Sequence, residues 1–163
     1  MSVEHPRVTY YNPKFMAYVN LTSRRYGRKN PVYYVGIHFS SIVPLDNNLL
    51  VDVYIYEWLT NVYKRSFIEF HYAWCNLLEN DKIFGPALRQ GDMRNPCPHK
   101  PGQYHLVNMT VNPVAIPPGF PFTRGRIYAN FTRAKTYERV VEGYIDMRIE
   151  QLNGKDAKKM LSL

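Results

Sequence analysis

Apolar and polar residues alternate one by one along several stretches of this chain, and that period of two constrains the fold more than any other feature. The clearest case is residues 49–58, where Val51, Val53 and Ile55 alternate with polar or aromatic residues. Successive side chains of a β-strand point to opposite faces of a sheet, so this pattern predicts a strand with one buried face. Phe, Trp and Tyr make up 15% of the residues, and aromatic side chains favour strands over helices.

Similar stretches recur along the chain, separated by residues typical of turns. The predicted extended segments are residues 8–21, 32–43, 49–58, 62–74, 104–111, 125–133 and 140–151. Residues 76–90 predict one short helix or two pieces, because Gly85-Pro86 interrupts a loose helical spacing. About seven or eight short strands with one helix are typical of an all-β, two-sheet antiparallel β-sandwich of the immunoglobulin-like type. A closed barrel is the alternative.

No shift in composition marks a second domain. We therefore interpret residues 1–152 as a single β-sandwich domain and residues 153–163 as a polar C-terminal tail. Residues 113–121 contain Pro117 and Pro118, and proline lacks the N–H that a central strand needs, so this stretch is predicted to be a connection. No stretch reaches the ~20 consecutive apolar residues that a membrane span requires. The chain is therefore not predicted to span a membrane.

The formal net charge is +8, from 21 Lys and Arg against 13 Asp and Glu. A basic chain favours acidic partners such as nucleic acid, anionic lipid surfaces or phosphorylated ligands. The basic residues form no single long run; residues 24–29 and 124–126 hold two clusters of them, and the C-terminal tail holds another. Solvated loops and a soluble tail are the simpler interpretation of that layout, so nucleic acid is not the partner we expect.

The two cysteines, Cys75 and Cys97, are compatible with one disulfide or with two free thiols. N-glycosylation sequons begin at Asn20, Asn108 and Asn130, where about one is expected by chance. On a strand, the Asn and Thr of each sequon would point to solvent and the middle residue inward. The first residues contain no signal peptide, so either a signal has been removed or the sequons are accidental. We take the first interpretation and predict a secreted glycoprotein.

Several short motifs follow one another between residues 74 and 126. They are Trp74-Cys75-Asn76-Leu77-Leu78, Asn95-Pro96-Cys97-Pro98, Gly102-Gln103-Tyr104, Val107-Asn108-Met109-Thr110, and Pro117-Pro118-Gly119 before Arg124-Gly125-Arg126. Their order and spacing resemble an insect family of small secreted proteins related to the ML lipid-recognition domains, which includes the CheB chemosensory proteins. The ganglioside activator protein is related to this family by fold. The resemblance implies a β-sandwich whose sheets splay apart at one edge around an apolar cavity for a lipid.

No combination of residues predicts an enzyme, a cofactor or a metal site. Cys97 and His99 lie close together in the sequence, but no second pair of ligands completes a zinc site. His71 and Cys75 would meet on a helix but not on the predicted strand, so a Cys–His nucleophile is not expected. Glu69 shares a strand face with His71, and an ion pair or a cavity mouth would account for both residues.

The leading hypothesis is non-catalytic, extracellular binding of a hydrophobic small molecule or lipid between the sheets, in a chemosensory (pheromone-type) or lipid-presenting role. Inward apolar residues on predicted strands are the candidate ligand-binding residues, although a plain core position is the simpler interpretation of any one of them. They are Val53, Ile55, Phe67, Phe70, Val107, Met109, Phe131, Ile145 and Met147. The alternative is an extracellular protein-interaction module with a solid core, which presents outward tyrosines to a membrane receptor. Those tyrosines are Tyr33, Tyr54, Tyr56 and Tyr128.

Overall fold

The computed structural model describes residues 2–30, 32–110 and 123–148. In this part of the chain the strands are β1 (Ser2–Tyr11), β2 (Met16–Arg25), β3 (Tyr33–Ser41), β4 (Leu49–Leu59), β5 (Val62–Ala73), β6 (Gly102–Met109), β7 (Arg124–Arg133) and β8 (Arg139–Arg148). The helical segments are α1 (Trp74–Asn80), α2 (Gly85–Leu88) and a 3₁₀ turn (Gly91–Arg94). The predicted connection at residues 113–121, the domain limit at residue 152 and the tail lie outside the described residues.

The described strands form two antiparallel sheets. A five-stranded sheet has the order β1-β8-β7-β4-β5, and a three-stranded sheet has the order β2-β3-β6. Helix is confined to α1, α2 and the 3₁₀ turn within the described residues. The all-β, two-sheet β-sandwich predicted from the sequence is therefore confirmed, and the closed barrel is wrong.

Strand β4 shows why the alternating pattern produces this architecture. It lies between β7 and β5, and Val51, Val53 and Ile55 are only 2%, 6% and 4% exposed. The neighbouring Asp52 and Tyr54 lie on the opposite, half-exposed face. Burial of one apolar side chain of this size contributes about 1.5–3 kcal/mol, so the strand is oriented by its inner row of residues.

The first extended segment differs from its prediction, because it contains two strands. β1 begins at Ser2, and Pro6 is tolerated there since β1 is an edge strand of its sheet. A turn then separates β1 from β2: the Asn12 side-chain Oδ1 accepts the backbone N–H of Lys14 at 3.0 Å. The backbone carbonyl of Asn12 accepts the N–H of Phe15, also at 3.0 Å. An asparagine that bonds the backbone two residues later is a turn signal, and it ends β1 here.

The β1–β2 connection joins the two sheets along one side, and the segment with α1 and α2 contacts β4, β5 and β6 on the other side. A disulfide between Cys75 and Cys97 ties this segment to the chain before β6. The Gln90 side chain also bonds the backbone N–H and carbonyl of Val107, at 3.0 and 2.8 Å. A crosslink over 22 residues contributes about 3 kcal/mol in the chain-entropy account, so α1 and α2 are held firmly beside the sheets.

Candidate ligand-binding cavity

A cavity of about 290 Å³ lies between the two sheets and is partly open to solvent. Its walls come from both sheets and from the α1–α2 segment, and none of the described residues that line it is charged. The polar side chains among these described residues are few: Thr110, Tyr33 and the indole of Trp74, whose Nε1 is buried without a hydrogen-bond partner in the same part of the chain. Such a cavity suits hydrocarbon, because a charged group taken into it would lose its hydration without compensation.

Two small residues in one cross-strand row explain why the five-stranded sheet leaves this space. Across β4, β7, β8 and β1, Val53 faces Ala129, Ala129 faces Gly143, and Gly143 faces Val8. All four residues line the cavity. Ala129 and Gly143 extend little or no side chain from the middle of the wall, so the gap between the sheets stays open there. A Cβ atom on Gly143 would lie 2.8 Å from the backbone oxygen of Arg7, so this position requires glycine.

The α1–α2 segment supplies the third wall, and Asp81 holds it in place. The Asp81 Oδ2 accepts the backbone N–H groups of Ile83, Phe84 and Gly85 at 3.0, 2.5 and 3.1 Å. Its Oδ1 accepts the Tyr72 hydroxyl at 2.8 Å, and burial together with this carboxylate raises the pKa of Tyr72 above its usual range. The aromatic ring of Phe84 is thereby placed in the cavity lining.

The nine predicted ligand-binding residues occupy three kinds of position. Those in the cavity lining are Val53, Met109, Phe131 and Ile145. Those in the apolar core, without lining the cavity, are Ile55, Phe70 and Met147. The remaining two, Phe67 and Val107, are 83% and 45% exposed, so the inward orientation predicted for them is wrong.

A bulge in β5 accounts for the outward position of Phe67. Tyr54 faces Glu69 and Tyr56 faces Arg65, so three residues of β5 lie opposite one residue of β4. The Ser66 hydroxyl stabilises the bulge by donating to the Ile55 carbonyl at 2.7 Å. Aromatic residues alternate on both faces of β5, so the sequence pattern could not tell the inner face from the outer one.

A second bulge, in β6, explains Val107. Ile37 faces Leu106 and Val35 faces Met109, so β6 has one residue more than β3 in this interval. Asn108 adopts a positive φ of 51°, a conformation that asparagine tolerates better than most residues. The extra residue turns both Leu106 and Met109 inward and leaves Val107 outside. The strict alternation assumed for residues 104–111 fails at this point.

The middle residues of the three sequons, Leu21, Met109 and Phe131, all line the cavity, which confirms the inward orientation predicted for them. Asn20 and Asn108 are exposed on the three-stranded sheet, and Asn130 is half-buried in β7 opposite Asp52. Glycosylation of these asparagines stays a prediction.

The outer face of the five-stranded sheet is a network of arginine and aromatic side chains. The Arg126 guanidinium lies 3.9 Å from the ring centroid of Tyr144 and 4.2 Å from that of Tyr63. Its Nε donates to the Asp146 carboxylate at 2.6 Å. Tyr54, Tyr56 and Tyr128 belong to this face as predicted. Tyr33 does not: it lies on the three-stranded sheet and lines the cavity.

The strongest polar cluster on this face surrounds His71. Its Nδ1 lies 2.5 Å from Asp52 Oδ1, and its Nε2 lies 3.1 Å from Glu69 Oε1. Hydrogen bonds to Asp52 and then to Glu69 raise the pKa of His71. Cys75 is in the disulfide and is not available as a nucleophile beside it. The cluster is therefore an exposed ion-pair arrangement.

Metal-ligand residues do not converge in the described ranges, where no group of three or more His, Cys, Asp or Glu side chains is placed to hold an ion. Cys97 is in the disulfide, and His99 is 5% exposed with its Nε2 2.9 Å from the Asn95 carbonyl. The Cys97–His99 pair singled out in the sequence is thus a packed part of the loop before β6.

The alternating pattern indicates that Ala129 faces the cavity, since it lies two residues from each of the inward residues Ile127 and Phe131. No sequence pattern indicated that Gly143 and Phe84 line the cavity, because the position of Gly143 depends on strand pairing and that of Phe84 depends on the turn held by Asp81.

No protein-family model matches the chain, and no curated protein sequence matches it either. Among residues 2–30, 32–110 and 123–148, the helices are too short to cross a bilayer.

Proposed function

We propose that this protein binds a hydrophobic small molecule or lipid, without catalysis, in the cavity between its sheets. The observation that carries the proposal is the cavity itself: about 290 Å³, with no charged residue among the described residues of its lining. A closely packed interior leaves few voids larger than a water molecule, so a space of this size is not an ordinary packing defect. The described residues of its lining include no arrangement of groups for acid–base or nucleophilic chemistry.

The cavity volume indicates the size of the ligand. A dry apolar cavity of about 150 Å³ accommodates benzene, with six carbons. By proportion, the present cavity accommodates an alkyl chain of about ten to twelve carbons. Burial gains about 0.8 kcal/mol per methylene, so ten carbons gain roughly 8 kcal/mol before the entropic cost of association. Hydrocarbon contact alone is then enough for weak to moderate binding.

The extracellular setting is the second part of the proposal. The Cys75–Cys97 disulfide is typical of oxidising compartments, and two of the sequon asparagines are exposed. The resemblance to the insect ML-like family, with its CheB chemosensory members, points in the same direction. We therefore place the function in pheromone-type chemosensation or in lipid presentation outside the cell.

The test is binding of decanol to the folded protein, followed by calorimetry and by native mass spectrometry. Ala129→Phe places a large side chain in the cavity from the five-stranded sheet and should abolish binding. Val35→Phe should do the same from the three-stranded sheet. Asn130→Ala, beside Ala129 but outside the lining, is the matched control and should bind as the wild type does. The proposal is wrong if decanol does not bind the folded wild type, or if it binds both filled variants unchanged.

The second candidate is the protein-interaction module with the outer tyrosines as its contact surface. The observation in its favour is the outer face, where Tyr54, Tyr56 and Tyr128 stand beside Arg65 and Arg126. Tyrosine and arginine are the residues enriched at protein interfaces. In that case, filling the cavity with Ala129→Phe would leave receptor binding unchanged, whereas Tyr56→Ala would weaken it.

A further inference from the structure

Cationic side chains collect at one end of the sandwich. β2 ends and β3 begins at this end, where the Ser23 hydroxyl donates to the Val3 carbonyl. β7 begins and β8 ends at the same place, since Arg124 faces Arg148 and Arg148 faces Ser2. The cations brought together in this way, which we call the basic end, are Arg24, Arg25, Arg28, Lys29, Arg124 and Arg148.

The basic end carries more cations than carboxylates: Glu4, which faces Asp146, and Glu57, which faces Gly125, lie at the same end of the five-stranded sheet. None of its six cations forms an ion pair with a carboxylate within the part of the chain that the structure describes. At the opposite end of the sandwich, Lys14 pairs with Glu138 at 3.0 Å and Arg139 pairs with Glu142 at 2.7 Å, whereas Lys100 and Lys135 form no ion pair among the described residues. An excess of one charge sign beside a low-dielectric wall attracts ligands of the other sign.

Part of the cavity lining lies beside these cations. Among the described lining residues, the exposed one is Thr110, which follows the end of β6. The Arg25 guanidinium lies 5.2 Å from the ring centroid of Tyr33, which also lines the cavity. The Tyr26 hydroxyl donates to Asn108 Oδ1 at 2.8 Å and so fixes the basic loop next to Met109.

From this arrangement we infer that the ligand is an amphiphile with an anionic head, a carboxylate or a phosphate, on an alkyl chain of about ten to twelve carbons. The chain lies in the cavity and the head lies at the basic end, where Arg25 contacts it beside Tyr33. The inference rests on the proposed function. It adds the chemical class of the head group and the direction in which the ligand lies.

The experiment compares ligands that share a chain and differ in the head. Decanoate and decyl phosphate should bind about tenfold more tightly than decanol at low salt, and the advantage should shrink as salt screens the exposed charges. Acetate and inorganic phosphate, which have the heads without the chain, should bind far more weakly. The ratio of decanoate to decyl phosphate affinity then shows which head is preferred.

Two double variants test whether the anionic head binds at the basic end. Arg24→Gln with Arg25→Gln should lower decanoate affinity about tenfold and leave decanol affinity unchanged. Lys100→Gln with Lys135→Gln removes the same charge at the opposite end, and it should change neither affinity. Decanol binding also reports that each variant is folded.

The possible failures are distinguishable. Equal affinity for decanol and decanoate overturns the anionic head but leaves the proposed function in place. An equal loss of decanoate affinity in both double variants also overturns it, because the effect would come from net charge rather than from the basic end. If inorganic phosphate binds as tightly as decyl phosphate, the inference that the alkyl chain lies in the cavity is wrong. If neither decanol nor decanoate binds, the proposed function itself is wrong.

Discussion

The two faces of the five-stranded sheet are built from the same alternating strands and yet differ in kind. The inner face is mostly aliphatic: Val53 and Ile127 line a cavity, as does Ala129, which faces Val53. The outer face is aromatic and basic, with Arg126 lying between the rings of Tyr63 and Tyr144. Inner residues are held by burial, whereas outer residues are held by contacts with each other along the sheet.

This difference changes how the aromatic surplus of the sequence should be interpreted. The sequence contains 14 tyrosines, and aromatic residues favour strands. In the structure, many of the aromatic residues contact arginines on the outer face, as Trp58 does with Arg124 at 4.1 Å. The cavity wall of the same sheet is mostly aliphatic, with Phe131 among valine, leucine, isoleucine, alanine and glycine residues. An aromatic-rich strand thus indicates a sheet, but not the side on which a ligand would bind.

The largest difference between the faces should come from truncating neighbouring residues of β4. Ile55→Ala removes a side chain that is 4% exposed and should lower the free energy of unfolding by about 2–5 kcal/mol. Tyr56→Ala, which removes the contact with Tyr128, should lower it by only about 1 kcal/mol. Urea unfolding of both variants measures the two losses. Equal losses would show that the outer face is as important for stability as the core.

A smaller effect should come from the centre of the outer network. Arg126→Met removes the 2.6 Å contact with Asp146 and two ring contacts from a side chain that is 20% exposed. We expect a loss of about 2 kcal/mol in the free energy of unfolding, since a charge-assisted hydrogen bond and cation–π contacts are lost together. A double-mutant cycle with Asp146→Asn isolates the ion pair. A coupling energy near zero would contradict the pairing of these two residues.

The smallest effect is the pH dependence contributed by His71. Asp52 and Glu69 raise the pKa of His71 above 6.5 in the folded state. Its stabilising contribution is therefore complete below the unfolded-state pKa, about 6.5, and is lost as pH rises through the higher folded-state value. Because the side chain is 52% exposed, the contribution is at most about 1 kcal/mol.

His71→Gln tests this dependence. The variant should be less stable than the wild type at pH 5.5–6 and should approach it at pH 9, as measured by urea midpoints across that range. Asp52→Asn is the companion variant, and it should remove most of the same pH dependence because it takes away the main partner of His71. A gap between wild type and His71→Gln that widens as pH rises would contradict the raised pKa.

Much of the fold could be predicted from the sequence. The alternation of Val51, Val53 and Ile55 is local, and it correctly indicated the buried face of β4. The sequon motifs likewise placed Leu21 and Phe131 inward. Prediction failed where a strand departs from strict alternation or is aromatic on both faces. The outward positions of Phe67 and Val107 depend on bulges that form only when β5 and β6 pair with their neighbours.

The sequence alone determined which residues favour strands. In most strands it also determined which residues face inward, because side chains two residues apart along a strand point to the same face. Only the tertiary structure decided that the interior holds a cavity and that the cations of the basic end lie together. That space exists because Ala129 and Gly143 lie in one cross-strand row with Val53 of β4 and Val8 of β1, which are distant in the chain. The basic end forms because the end of β2 contacts the start of β1, which pairs with the end of β8 beside the start of β7. Both depend on contacts between distant segments, which no local pattern contains.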